Sequence, residues 1–239
     1  MSVDKGISVF FNSVVLKSRG FDQILVLISL NPLLKGMVLI AAFWSLWFYN
    51  TKQPDPALQK DSRTTLLTTL LICAPMLAAV RILATLLPYS VRPVLVPELH
   101  LAQATSLDVN NLAKWSSFPS DHAAMFLGLA TGLYLVSRRM GIAMYIYTSI
   151  FILLPRVILG IHYTSDIVVG ALIGILVIQL VRVKQVRSFM TGLPFRILDV
   201  APGAFYAGLF VLTFLTADLY DPARNFVKVL LNVCGFISS

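Results

Sequence analysis

The sequence predicts an all-α membrane protein, a polytopic helical bundle with about six transmembrane helices. Of the 239 residues, 57% are hydrophobic and only 13% are charged, whereas roughly a quarter of the residues in a typical soluble domain are charged. The apolar residues are concentrated in stretches long enough to cross a bilayer, and polar segments separate these stretches. We therefore expect a single integral-membrane domain over residues 1–239.

The elements follow in order along the chain. Residues 1–31 place apolar side chains close to helical spacing with basic residues nearby, which predicts a helix lying in the membrane interface. Six apolar stretches predict the membrane spans: residues 33–49, 65–87, 120–136, 141–160, 165–183 and 204–217. The polar segments 50–63, 88–118 and 182–200 are predicted to be loops, and a short amphipathic tail follows the last span.

Basic residues are concentrated in three connections, residues 51–63, 137–140 and 182–200. Because Lys and Arg are enriched in cytoplasmic loops, we expect these connections to face the cytoplasm. The same count places the N-terminus outside despite Lys5, Lys17 and Arg19, unless residues 22–31 enter the membrane as a separate helix. The formal charge of +8 does not indicate nucleic acid binding, because no basic cluster is interleaved with aromatic residues on a soluble module.

Small residues predict how two of the spans pack. Gly128 and Gly132 lie in the third predicted span, and Gly170 and Gly174 lie in the fifth. Glycines four residues apart let the backbones of two membrane helices approach closely. Gly170 and Gly174 also continue the helix face of Asp166, so we expect the two spans to pack directly below that residue.

Two polar clusters interrupt the apolar sequence. The first is Pro-Ser-Asp-His at residues 119–122, and the second contains Arg156, His162 and Asp166. An apolar segment of membrane-spanning length, broken at Arg138-Arg139, separates them. If the intervening chain crosses the membrane and returns, both clusters lie at one extracytoplasmic face.

These residue types fit phosphate chemistry. Arginines such as Arg156 and Arg92, and the hydroxyl and free amides at a helix start such as Ser120, are suitable partners for an anionic phosphate. His162 can attack phosphorus if its other nitrogen is held by an acceptor, and Asp166 lies four residues on. His122 would protonate the departing oxygen and later activate water. No metal is needed for this chemistry. The alternative is that an arginine here has no catalytic role, because a lone arginine near a helix end often only extends its side chain to the membrane interface.

Residues 119–122 and the pattern Arg156-(five residues)-His162-(three residues)-Asp166 resemble the second and third motifs of the type-2 phosphatidic acid phosphatase family. That family includes lipid phosphate phosphatases, undecaprenyl-diphosphate phosphatases and vanadium haloperoxidases, and the resemblance covers roughly residues 81–175. It implies metal-independent hydrolysis of a phosphatidic acid-like or polyprenyl diphosphate lipid through a phosphohistidine. From this resemblance together with the loop charges, which place the site outside the cytoplasm, we expect a bacterial inner membrane protein with its site facing the periplasm or the cell exterior, and no cofactor.

The sequence departs from the family motifs at three positions. Arg92-Pro93 is kept, but Thr85 occupies the position of the first-motif lysine, and we expect Arg81, one helix turn upstream, to supply the missing charge. Asp121 replaces a glycine and would weaken phosphate binding unless its side chain turns outward. Pro155 replaces a serine, which removes a hydroxyl and a backbone donor.

Two alternative functions remain open at this stage. A lipid phosphoryl or head-group transferase could use the same site with an alcohol in place of water. A transporter is disfavoured because the third and fifth spans are apolar at mid-depth. The expected partners are a lipid phosphate and membrane lipids, with a homodimer as one expected assembly.

Overall fold

The computed structural model describes residues 3–49, 55–104 and 107–233. Within these ranges the regular secondary structure is helical, without strands, which confirms the all-α prediction. The main helices are α1 (Val3–Asn12), α2 (Arg19–Leu30), α3 (Leu33–Tyr49), α4 (Pro56–Leu86), α5 (Val109–Leu112), α6 (Asp121–Val136), α7 (Arg138–Ile158), α8 (Thr164–Arg182), α9 (Lys184–Val200), α10 (Pro202–Ala217) and α11 (Asp221–Val233).

Several of these helices are suited to a bilayer. Among the described residues, α4, α7 and α8 are each long and apolar enough to cross a membrane. Two bent pairs pass the same test when each pair is taken together: α2 with α3, bent by 70°, and α10 with the first part of α11, bent by 95°. The described chain thus offers three to five candidate spans, and the number six stays a prediction.

The helix boundaries follow from local sequence signals. Asp55 caps α4 by accepting a hydrogen bond from the amide of Ala57 at 2.8 Å, and Pro56 occupies the first turn. Helix α4 therefore begins well before the predicted start of the second span, and residues 50–54 lie outside the described ranges. Ser137 ends α6 and caps α7, so the predicted break before Arg138 is confirmed.

The segment predicted as the loop 182–200 is instead the helix α9, and the loop prediction was wrong. Phe189, Leu193, Ile197 and Val200 recur every three or four residues and are all exposed, as on one apolar face of a helix. The basic residues of this segment outweighed that periodicity in the prediction. A basic helix with an exposed apolar stripe is typical of one lying in the membrane interface.

The N-terminal segment contains two helices where one was predicted. Leu16 has a φ of 65° between them, and the amide of Leu16 donates to the carboxylate of Asp22 at 3.0 Å. The buried side-chain amide of Asn12 donates to the carbonyl oxygens of Ala102 and Ile158, at 3.1 and 3.0 Å. Helix α1 is thereby fixed against the 88–118 connection and the end of α7.

Close packing of α6 against α8 lies at the centre of the bundle. A methyl group built on Gly170 would overlap the carbonyl of Ser120, and one on Gly174 would overlap the carbonyl of Ala124. Both glycines are therefore required by a close backbone approach, which confirms the predicted packing of the third and fifth spans. Gly132 faces a different helix, because a methyl group there would overlap Thr69 of α4.

Candidate functional site

The two polar clusters meet where α6 and α8 begin. The backbone amide of Ser120 donates to the carbonyl of Asp166 at 3.1 Å. The Nδ1 atom of His162 lies 2.9 Å from the carbonyl oxygen of Ser117, and the Ser117 hydroxyl donates to the Asp166 carboxylate. Ser117 is thus directly hydrogen-bonded to two residues that lie 45 and 49 positions further along the chain. The predicted crossing and return of the chain requires such contacts between the two clusters.

His162 is buried, with 3% of its surface exposed. Because a carbonyl can only accept, Nδ1 must carry the proton in its bond to Ser117, which leaves the lone pair of Nε2 free. The Asp166 carboxylate lies 3.5 Å from the same Nδ1. Burial lowers the pKa of His162, an effect that the hydrogen bond with Asp166 partly opposes. Because burial is the larger of the two effects, the pKa of His162 stays below its ordinary value, which favours a neutral imidazole with an available Nε2 at neutral pH.

Asp166 contacts the imidazole of His162 and also the backbone and side chains that surround it. Its carboxylate is only 2% exposed and accepts hydrogen bonds from the Ser117 hydroxyl and, at 2.8 Å, from the amide of Tyr163. The sequence predicted Asp166 as the acceptor for His162, but the closer acceptor is the carbonyl of Ser117. Asp166 therefore positions both Ser117 and the turn that carries His162.

His122 lies in the first turn of α6, and its ring contacts Asp121, which replaces the glycine of the second motif. Its Nδ1 is 2.7 Å from the carboxylate of Asp121, whose other oxygen is 3.5 Å from the guanidinium of Arg81. The Asp121 side chain is thus directed to His122 and Arg81. The carboxylate can hold the ring through Nδ1 and leave Nε2 to meet a ligand.

Arg81 is bound by two carboxylates. Its guanidinium lies 3.5 Å from Asp121 and 3.0 Å from Asp221, the first residue of α11. Asp221 also pairs with Arg224 at 3.0 Å, and Arg224 lies over the ring of Trp115 at 5.5 Å. Arg81 was expected to supply the charge of the missing first-motif lysine, and the structure pairs that charge with the carboxylates of Asp121 and Asp221.

Arg92 is buried and joins two connections. It donates to the carbonyl oxygens of Leu112 at 3.1 Å, Ile161 at 2.9 Å and Ser116 at 3.4 Å. Burial lowers its pKa, and the negative charge of Asp121 opposes that shift. A guanidinium has five N–H donors, so two remain after these three bonds. Arg92 thus positions the 88–118 connection against the turn that contains His162, and keeps donors for an anion.

Arg156 and Ser120 are the other predicted phosphate ligands, and both are buried. Arg156 donates from one terminal nitrogen to the carbonyl of Ser29 at 3.2 Å, while its buried Nε has no hydrogen-bond partner among the described residues. The Ser120 hydroxyl accepts from the amide of Ala123 at 3.3 Å as the helix cap of α6. Since that bond uses a lone pair, the hydroxyl proton remains available to a ligand.

The other two departures from the motifs remove groups from the site. Thr85 is exposed and its hydroxyl donates to the carbonyl of Ile82 at 2.7 Å, so it does not replace a lysine. Pro155 is buried within α7, and its carbonyl accepts from the amide of Leu159 at 2.9 Å.

One charged residue of this region was missed by the sequence analysis. Lys35 lies near the start of α3 and is only 7% exposed. Its charge interacts with those of Arg156, Asp121, Asp218 and Asp221. A lysine inside an apolar span is itself a signal of function, and that signal could have identified Lys35.

A cleft of about 410 Å³ is lined by Asp166, Phe118, Tyr163 and residues of helix α1. Neither His122 nor His162 lines this cleft. Within the described ranges, no three His, Cys, Asp or Glu side chains are grouped as ligands of a metal ion.

Comparison with known families now decides the classification. A family model described as the PAP2 superfamily matches residues 76–189, a segment that contains both polar clusters. The match confirms the resemblance to type-2 phosphatidic acid phosphatases. No curated protein and no solved structure matches the chain. The PAP2 match suggests phosphatase-type activity on phosphate esters, and the long apolar helices fit a membrane protein.

Proposed function

We propose that the protein is an integral-membrane lipid phosphatase that hydrolyses a lipid phosphomonoester or diphosphate through a phosphohistidine. The observation that carries the proposal is the pair of histidines whose Nδ1 atoms are held, one by the Ser117 carbonyl and one by Asp121. Each ring can then present Nε2 to a phosphate bound between them. The arginines Arg92 and Arg156 are the cationic ligands in this arrangement.

The first step is attack on phosphorus by the Nε2 lone pair of His162. A bond forms between Nε2 and phosphorus as the bond from phosphorus to the lipid oxygen breaks. His122 donates its proton to that oxygen, so the lipid leaves as a neutral alcohol, or as a monophosphate when the substrate is a diphosphate. His122 then accepts a proton from water, which attacks the phosphohistidine and releases inorganic phosphate. Arg156, Arg92 and the Ser120 hydroxyl bind the charged oxygens.

An amphiphilic substrate is supported by the surface beside the site. Ile82, Leu83 and Leu86 lie at the end of α4 that carries Arg81, and all three are exposed. Exposed apolar side chains at the end of a membrane-length helix suit contact with acyl or prenyl chains. The basic residues of segments 51–63, 137–140 and 182–200 favour a site that faces the periplasm or cell exterior.

The test is phosphate release by the purified protein from phosphatidic acid and from a polyprenyl diphosphate. We expect His162→Ala to reduce release to background, and His122→Ala to slow it by ~10²- to 10⁴-fold. His100→Asn is the matched control, because His100 is exposed in the 88–118 connection and its φ of 47° is one that Asn tolerates. Wild-type rates in both alanine variants would refute the mechanism. Mass spectrometry of the products with added alcohols would separate hydrolysis from transfer.

A further inference from the structure

Lys35 is a buried cation without a direct partner. It is 7% exposed, and its ammonium makes no hydrogen bond or ion pair with any residue that the structure describes. A largely buried ammonium without such a partner is unfavourable, so buried lysines normally pair with an anion. The position of Lys35 therefore indicates that an anion binds beside it.

The backbone around Lys35 is fixed next to Arg156. Arg156 donates to the carbonyl of Ser29 at 3.2 Å, and the hydroxyl of Tyr147 donates to the carbonyl of Leu34 at 2.6 Å. Gly36 packs so closely on Ala217 that a methyl group there would overlap the Ala217 backbone. These contacts hold the start of α3 between α7 and α10, which keeps Lys35 within electrostatic range of Arg156.

Lys35 and Arg156 are two buried cations whose charges interact. Their mutual repulsion and the absence of a partner for the Arg156 Nε both favour an anion between them. Asp121, Asp218 and Asp221 interact with the Lys35 charge, but none of them is within ion-pair distance of it. The remaining donors are three N–H groups on the ammonium and four on the guanidinium of Arg156, among them its Nε–H, a set suited to the oxygens of a phosphate.

We propose that Lys35 binds a phosphate group of the substrate together with Arg156. The inference rests on the proposed function for the identity of the substrate, and it adds a ligand from outside the matched segment 76–189. Helix α3, which carries Lys35, would then complete the site. The donor chemistry suits the phosphate of a lipid head group and free inorganic phosphate alike, so both are used in the test.

The first measurement is thermal unfolding of the purified full-length protein in detergent, titrated with inorganic phosphate. We expect phosphate to raise the Tm of the wild type, and Lys35→Met to weaken the apparent phosphate affinity by ~10-fold or more. Because Met fills a similar volume without charge, the phosphate-free Tm of Lys35→Met should equal or exceed that of the wild type. Lys184→Met, which changes an exposed lysine at the start of α9, is the matched control and should behave as the wild type.

The second measurement is the kinetics of phosphate release from a lipid phosphate. We expect Lys35→Met to lower kcat/KM by ~10-fold or more, and Lys35→Arg to retain part of the affinity because it keeps the charge. Wild-type phosphate affinity in Lys35→Met, or a wild-type protein that phosphate does not stabilise, would overturn the inference. A lower phosphate-free Tm with unchanged affinity would also overturn it, since Lys35 would then be structural. If phosphate stabilises the wild type through Lys35 but no lipid phosphate is hydrolysed, the inference stands and the proposed function fails.

Discussion

Asp121 offers a sharp test of how the site works, because a carboxylate beside a phosphate-binding site should be unfavourable for binding. In the structure it lies 2.7 Å from the Nδ1 of His122 and 3.5 Å from Arg81. We therefore expect Asp121 to stabilise the protonated form of His122, the form that donates a proton to the leaving group. The substitution Asp121→Asn keeps the shape of the side chain and an acceptor oxygen but removes the charge.

The magnitude follows from the strength of that one bond. A hydrogen bond to a charged group contributes about 1.5–3 kcal/mol, and each 1.36 kcal/mol changes a rate tenfold. The Asp121 side chain is 28% exposed, so solvent screening reduces the effect toward the lower limit. We expect Asp121→Asn to lower kcat by ~10-fold for a substrate whose leaving group must be protonated.

The assay compares two substrates with different leaving groups. A lipid phosphate releases an alkoxide and requires the proton of His122, whereas a nitrophenyl phosphate releases a stable phenolate and does not. Asp121→Asn should therefore slow the lipid phosphate far more than the nitrophenyl ester. Asp61→Asn, which removes an exposed carboxylate paired with Arg187, is the matched control. An equal loss on both substrates, or faster hydrolysis of the lipid phosphate, would refute the assigned role.

Two further predictions concern pH dependence and stability. Asp166 raises the pKa of His162 against the lowering by burial, so Asp166→Asn should lower that pKa and move the acidic limb of kcat/KM to lower pH. The wild type and Asp166→Asn are measured on the same substrate, so that the titration of the substrate affects both profiles equally. An acidic limb at the same or a higher pH in Asp166→Asn would contradict the role assigned to Asp166. Gly170→Ala should destabilise the protein by about 1–3 kcal/mol through overlap with the Ser120 carbonyl. Gly208→Ala, which has open space around it, should leave the Tm nearly unchanged, and equal Tm values for the two variants would count against the close packing of α6 and α8.

The helical class and most helix boundaries were predictable from local signals. The break at Ser137 and the start of α6 at Ser120 followed from polar residues at the ends of apolar stretches, and the structure agrees at both. The helix α9 was missed because charge content was given more weight than the recurrence of Phe189 and Leu193 on one face. The loop prediction for this segment was therefore wrong although the sequence contains the local signal of a helix.

The use of each charged side chain was harder to predict. Arg92 was expected to bind phosphate, and in the structure three of its donors bind carbonyl oxygens of two connections. The direction of Asp121 was left conditional, because a residue at the start of a helix can turn toward the site or away from it. Such choices depend on neighbours that are close in space and distant along the chain.

The sequence by itself determined the helical membrane class and the residue types of a phosphate site, because apolar length and the fixed spacing of Arg156, His162 and Asp166 are properties of adjacent turns of chain. Only the tertiary structure brought Ser117 to His162, turned Asp121 toward its neighbouring ring and placed Lys35 near Arg156. The physical reason is that burial and pairing of a charge depend on which helices pack together. The spacing of residues along one segment does not predict which helices pack together.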